Sequence, residues 1–111
     1  MDIQQRAWAL LAVSVLSGTG AATAAQPKPT THTVAIEAMQ FSPATLDVKA
    51  GDTVIWRNKD PFPHNVVANN KGFRSGDIPA GHSWSFKARK KGEFAYVCTL
   101  HPNMKAVLAV K

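Results

Sequence analysis

The chain has 111 residues, with 13 Lys and Arg against 7 Asp and Glu, a net charge of +6 and a single cysteine. That length suits one domain, and a single thiol excludes an intrachain disulfide. The basic balance favours acidic partner surfaces. No interleaving of basic and aromatic residues suggests a grip on single-stranded nucleic acid.

In chain order, residues 1–6 carry Asp2 and Arg6, residues 7–16 form an uncharged, mostly apolar run, and Ala22-Thr23-Ala24 supplies an A-x-A site. This is the pattern of a secretory signal peptide over residues 1–24, cleaved after Ala24. An uncleaved anchor is the alternative, because no charge falls between Ala7 and Ala25. Against it, the second half of the run is Ser, Gly, Thr and Ala, which suits a membrane span poorly. The expected location is therefore periplasmic or otherwise exported, with no stable membrane insertion after cleavage. Residues 25–32, rich in Pro and Thr, are expected to be a flexible lead-in, and residues 33–111 the folded domain.

From Thr33 onward the hydrophobic pattern has period two, which predicts strands. Thr33-Val34-Ala35-Ile36-Glu37 alternates, and the segment from Met39 to Pro43 breaks the pattern as a bulge or bend would. Thr45-Leu46-Asp47-Val48-Lys49 alternates and closes on the turn signal Ala50-Gly51-Asp52. Thr53 to Asn58 places Val54 and Trp56 on one face, and His64 to Ala68 is a further short strand. Ser83-Trp84-Ser85-Phe86-Lys87 turns Trp84 and Phe86 to the core. Lys90-Lys91-Gly92 is a turn, Phe94, Tyr96 and Cys98 share the inner face of the next strand, and Lys105 to Lys111 closes the domain. About seven short strands without a helical stripe predict an all-β, antiparallel Greek-key β-sandwich.

The chemistry concentrates in Tyr96-Val97-Cys98-Thr99-Leu100-His101-Pro102-Asn103-Met104. Cys98, His101 and Met104 stand at i, i+3 and i+6, a spacing that no single helix face holds, and Pro102 disfavours a helix there. They are expected to form a compact loop after a strand, with His64 arriving from another strand end. One thiolate, two imidazoles and a thioether are the donors of a mononuclear copper site that cycles between Cu(II) and Cu(I). Taken singly, each residue has a plainer reading: a lone Cys as a buried hydrophobe, Met104 as core. A structural zinc site would want a better fourth donor than Met, and a Cys-His nucleophile would want a substrate cleft. A small exported domain is short of core and often carries a metal staple. Its free thiol is safest when bound. His32, in the lead-in, and His82, in a turn, are assigned to the surface.

These residues resemble the cupredoxins, within them the plastocyanin/amicyanin group. The resemblance runs through Phe41-Ser42-Pro43, Val48 to Val54, Trp56-Arg57-Asn58, Pro63-His64-Asn65-Val66, Phe73-Arg74-Ser75-Gly76 and the Cys98 segment, whose short Cys-x-x-His-x-x-Met form is similar to that of amicyanin. It implies an eight-stranded Greek-key sandwich with one type 1 copper at one end, held by His64, Cys98, His101 and Met104. It also implies that Asn58 ties the strand-end loop to the backbone beside the cysteine, and that the edge of His101 is the electron port. Leu100 and Asn103 depart from the Pro and Phe found at those places in amicyanin, which affects the potential and the docking patch.

The expected function is an exported carrier of single electrons between a redox donor and an acceptor, working as a monomer. It is not expected to be an enzyme, because all four donors come from the protein and no position is open to substrate. A periplasmic copper chaperone or buffer is the alternative. Phe62, Pro63, Leu100 and Pro102 are expected to form an apolar docking rim around His101, with Lys59 and Lys105 steering a partner of acidic surface. Lys87, Arg89, Lys90 and Lys91 are expected at the end remote from copper, as a solvated turn.

Overall fold

A computed structural model describes residues 28–111; the expected leader over residues 1–24 lies outside the described residues. Eight strands follow one another: β1 (Thr31–Glu37), β2 (Gln40–Ser42), β3 (Thr45–Val48), β4 (Thr53–Asn58), β5 (Val67–Ala68), β6 (Ser83–Lys87), β7 (Gly92–Cys98) and β8 (His101–Val110). They form two four-stranded sheets, ordered β2-β1-β4-β6 and β3-β8-β7-β5. No helix occurs among the described residues.

The expected sandwich is present, but it is not purely antiparallel. β1 runs parallel to β4 and β3 parallel to β8, while the other pairs are antiparallel. The reason lies in the connections. A tight turn forces its two strands to oppose one another, whereas a strand that returns after the chain has visited the other sheet can lie parallel. Period-two alternation is the same in both cases, so it cannot separate them.

The two inner faces meet as alternation predicts. Val34, Ile36, Val54 and Trp56 are wholly buried from the first sheet, and Tyr96, Cys98 and Leu108 from the second. Burying a large apolar side chain of this kind stabilises by about 1.5–3 kcal/mol. Trp56 and Tyr96 meet edge to face at 5.5 Å, and the Trp56 indole N–H donates to the Tyr96 hydroxyl at 3.1 Å. Burial pushes the Tyr96 hydroxyl up to about 12, outweighing the opposite effect of that hydrogen bond. Trp84 and Phe86 are half-buried against the same core.

Three local expectations change. First, β1 begins at Thr31 and not Thr33, so His32 is a half-buried strand residue whose Nε2 lies 2.9 Å from Asp52 Oδ2. It belongs neither to a lead-in nor to open surface. Second, the break after Glu37 is a tight turn at Ala38 and Met39, both at positive φ (56° and 61°), leading into β2. Third, the strand expected over His64 to Ala68 shrinks to β5. Asn65 N–H donates to Cys98 Sγ and Val66 N–H to Ser75 Oγ, so side chains occupy the groups a ladder would have used.

Candidate metal centre

The site forms where β7 ends and β8 begins. Cys98 is the last residue of β7 and His101 the first of β8, and the two are paired across the Thr99-Leu100 turn. Val97 pairs with Lys105, so Pro102, Asn103 and Met104 have no opposite residue on β7 and bulge outward from the ladder. A proline is tolerated in such a bulge because no ladder hydrogen bond is lost there. The loop expected to hold Cys98, His101 and Met104 is thus largely strand, with a two-residue turn and a bulge.

His64 reaches the same point from the other side of the sandwich end. Its backbone makes an antiparallel bridge with Ile78, and its side chain is wholly buried. Cys98 Sγ lies 3.6 Å from His64 Nδ1 and 3.8 Å from His101 Nδ1. These three donor atoms all lie within 4.8 Å of one another. A metal bonded to N and S donors at about 2.0–2.3 Å fits between atoms so spaced. Met104 is buried at 3% exposure on β8, three residues beyond His101 in the sequence.

Hydrogen bonds fix His64 and Cys98. Asp60 Oδ2 lies 2.8 Å from His64 Nε2, and both groups are buried. With Nε2 carrying the proton toward a carboxylate, the Nδ1 lone pair is left free to face the cluster. Asp60 also accepts from the amides of Ala38 at 2.7 Å and Met39 at 3.0 Å, the two residues of the positive-φ turn. Burial by itself would push this carboxyl up; the Met39 amide, the His64 ring and the Ala38 amide outweigh it and hold Asp60 below its ordinary 3.8. Around the sulfur, Asn65 N–H donates to Cys98 Sγ at 3.4 Å. Such bonds around a cysteine sulfur tune a copper–thiolate potential.

The tie expected of Asn58 falls to Asn65. Asn58, expected to tie the loop to the backbone beside the cysteine, instead donates to the carbonyls of Phe62 and Ile78, both at 2.9 Å, and accepts from Asp60 N–H. It braces the turn that carries Asp60 and His64. The tie beside the cysteine is made by Asn65, whose Oδ1 accepts from Thr99 N–H at 2.8 Å and whose Nδ2 donates to Thr99 Oγ1 at 2.8 Å. Asp60 and Asn65 are the functional residues that sequence reasoning passed over. A weak signal was available, since an acid four residues before a candidate ligand is within reach of its ring in a tight turn.

Over the cluster lies Phe62, 39% exposed, with its ring 5.3 Å from His64 and 5.8 Å from His101. The His64 and His101 rings are 5.0 Å apart, and His101 itself is half-buried. Leu100, Pro63 and Pro102 are exposed beside them, as are Lys59 and Lys105 on adjoining segments. Met39, Phe62 and Leu100 are the exposed large apolar side chains among the described residues. Met39 joins the same end through its amide bond to Asp60, an addition to the expected rim.

The cupredoxin-like domain family matches residues 7–110. This chain belongs to the cupredoxin family. Among its relatives is the amicyanin of Paracoccus versutus, 30% identical over 110 residues, which covers 95% of this chain and 83% of that one. The structure of a mutant amicyanin in its Cu(I) form superposes with a TM-score of 0.67 at 32% identity, covering 72% of this chain and 81% of that one. A copper-containing nitrite reductase from Thermus scotoductus shares the fold with a TM-score of 0.69 at 27% identity, but this chain covers only 24% of it. The His64, Cys98 and His101 cluster of this cupredoxin is able to bind one copper ion.

Proposed function

We propose that this cupredoxin is an exported carrier of single electrons, with His64, Cys98, His101 and Met104 as the copper ligands. The observation that carries the reading is the convergence of two imidazole Nδ1 atoms on a buried thiol that is in no disulfide, with the far nitrogen of His64 already held by Asp60. Bound copper supplies the one-electron Cu(II)/Cu(I) couple. The chain supplies the rest: Asp60 holds the His64 tautomer, Asn65 holds the cysteine sulfur and the Thr99 turn, and Phe62 keeps water from the rings. A donor set held this firmly needs little rearrangement when the charge changes. The half-buried edge of His101 is where an electron leaves or enters, through the rim of Phe62, Pro63, Leu100 and Pro102, with Lys59 and Lys105 steering a redox partner of acidic surface. All four donors come from the chain, so no position is kept for substrate and the protein is not an enzyme. Copper delivery is less well supported, because exchange of the metal would require opening a buried, hydrogen-bonded set.

The deciding experiment is a visible spectrum of the protein with one equivalent of Cu(II). An intense red-region band is expected, bleached by mild reductant and restored by reoxidation, and absent in Cys98→Ser. A weak band, or thiol oxidation without a stable coloured complex, would overturn the reading. For the docking rim, Leu100→Lys is expected to slow interprotein electron transfer severalfold while leaving that band unchanged; an unaltered transfer rate would remove Leu100 from the rim.

A further inference from the structure

The end of the sandwich opposite the cluster gathers charge from four separate segments. Lys28 precedes β1, Lys49 sits in the β3–β4 turn, Lys87, Arg89, Lys90 and Lys91 surround the β6–β7 turn, and Lys111 ends the chain. Backbone bonds draw these segments together: Ala50 N–H donates to Lys111 O, Gly51 N–H to Ala88 O and Thr53 N–H to Thr30 O. Lys28, Lys49, Lys91 and Lys111 line one open cleft beside His32 and Asp52. Seven of the 12 basic residues in the described chain thus lie at one pole, against the acids Asp47, Asp52 and Glu93, a net +4. Asp52 is taken up by the Thr30 and Lys49 amides and His32. Among the described residues the one cation of the seven with an acidic partner is Lys111, 3.8 Å from Asp47. The seven residues of β7 separate this pole from Cys98 by about 20 Å.

We infer that this basic pole rests on an anionic lipid surface, by contact with phosphate headgroups and not by insertion. One further observation selects that occupant. The pole has no exposed large apolar side chain among the described residues, since Met39, Phe62 and Leu100 all lie at the other end. Protein interfaces are built around a buried apolar or aromatic centre, whereas a headgroup layer is held by dispersed lysines at about a fivefold gain in binding each. The contact would leave the cluster end facing outward.

The test uses the full chain without metal, so its outcome is independent of the copper reading. Co-sedimentation with vesicles containing phosphatidylglycerol is compared with vesicles of phosphatidylcholine alone, which cancels any apolar contribution of the leader. Binding is expected to be stronger on the anionic vesicles and to fall with added salt. The double variant Lys90→Gln and Lys91→Gln, in an exposed turn, should lose roughly 25-fold on the anionic vesicles. Lys59→Gln with Lys105→Gln, the same charge change at the other end, should lose little. Equal binding to both vesicles, or equal loss in both double variants, overturns the inference. So does salt-sensitive retention on an acidic protein without vesicle binding, which would assign the pole to a protein partner.

Discussion

A neutral imidazole has one donor and one acceptor nitrogen, so what His64 can ligate depends on what holds its Nε2. The holder is Asp60, which is itself pinned by two amides of the Ala38-Met39 turn. Positive φ at two residues that are not glycine is an unfavourable turn, and the carboxylate that accepts both amides stabilises it. In Asp60→Asn the amide group would offer an N–H toward Nε2, favouring the tautomer that turns a proton toward the cluster, and would remove a negative charge near the metal. Unit charges about 7 Å apart at an effective dielectric near 20 interact by about 2 kcal/mol. With about 59 mV per tenfold change for one electron, the reduction potential is expected to rise on the order of 50–100 mV. Voltammetry of the loaded variant measures this; an unchanged potential would reduce Asp60 to a turn brace. The residue types of the cluster were legible in the sequence because thiol and imidazole announce themselves. Asp60 and Asn65 were not, since an acid or an amide in a loop is ordinary until its partner is known.

At the scale of the element, alternation foretold which faces are buried but not how strands begin, end or pair. Phe94, Tyr96 and Cys98 do share the inner face of β7, and Met104, Ala106, Leu108 and Val110 that of β8. The β8 pattern starts four residues before the expected Lys105, because His101 pairs with Cys98 once the bulge has absorbed Pro102 to Met104. Proline marked that segment as irregular, yet the same proline fits a bulged strand. The short β5 shows the converse. Val66 and Val67 look like strand, but the Val66 amide is taken by Ser75 Oγ and Asn65 N–H by Cys98 Sγ. The first joins the His64 segment to the Ser75 loop and the second to the cysteine strand, and neither partner is near in sequence.

As a whole the molecule is polarised, with an apolar, weakly charged end around His101 and a basic end around Asp52. The Asp52 carboxyl is held at about 2 by the amides of Thr30 and Lys49 and by His32, against the effect of burial. A carboxyl whose folded value lies below its unfolded 3.8 contributes stability above that pH and loses it as pH falls through about 2. The metal-free protein is therefore expected to lose thermal stability between about pH 4 and pH 2, with the His32 ring on β1 and the Thr30 and Lys49 amides as the groups facing the carboxylate. Asp52→Asn should be less stable at neutral pH and show a shallower acid transition; an identical acid profile would show that other carboxyls dominate it.

The sequence by itself determined the donor chemistry, the inward faces and the sandwich, because those depend on residue type and on a short period along the chain. Tertiary structure alone decided which strands run parallel, which asparagine ties the cysteine turn, and that Asp60 holds His64. It also decided that lysines from four segments share one pole. The physical reason is separation along the chain: Asp60 meets Ala38 across 22 residues and Asn65 meets Thr99 across 34. Contacts so distant carry no periodicity; they exist only once strands far apart in the chain have paired, β1 with β4 and β5 with β7.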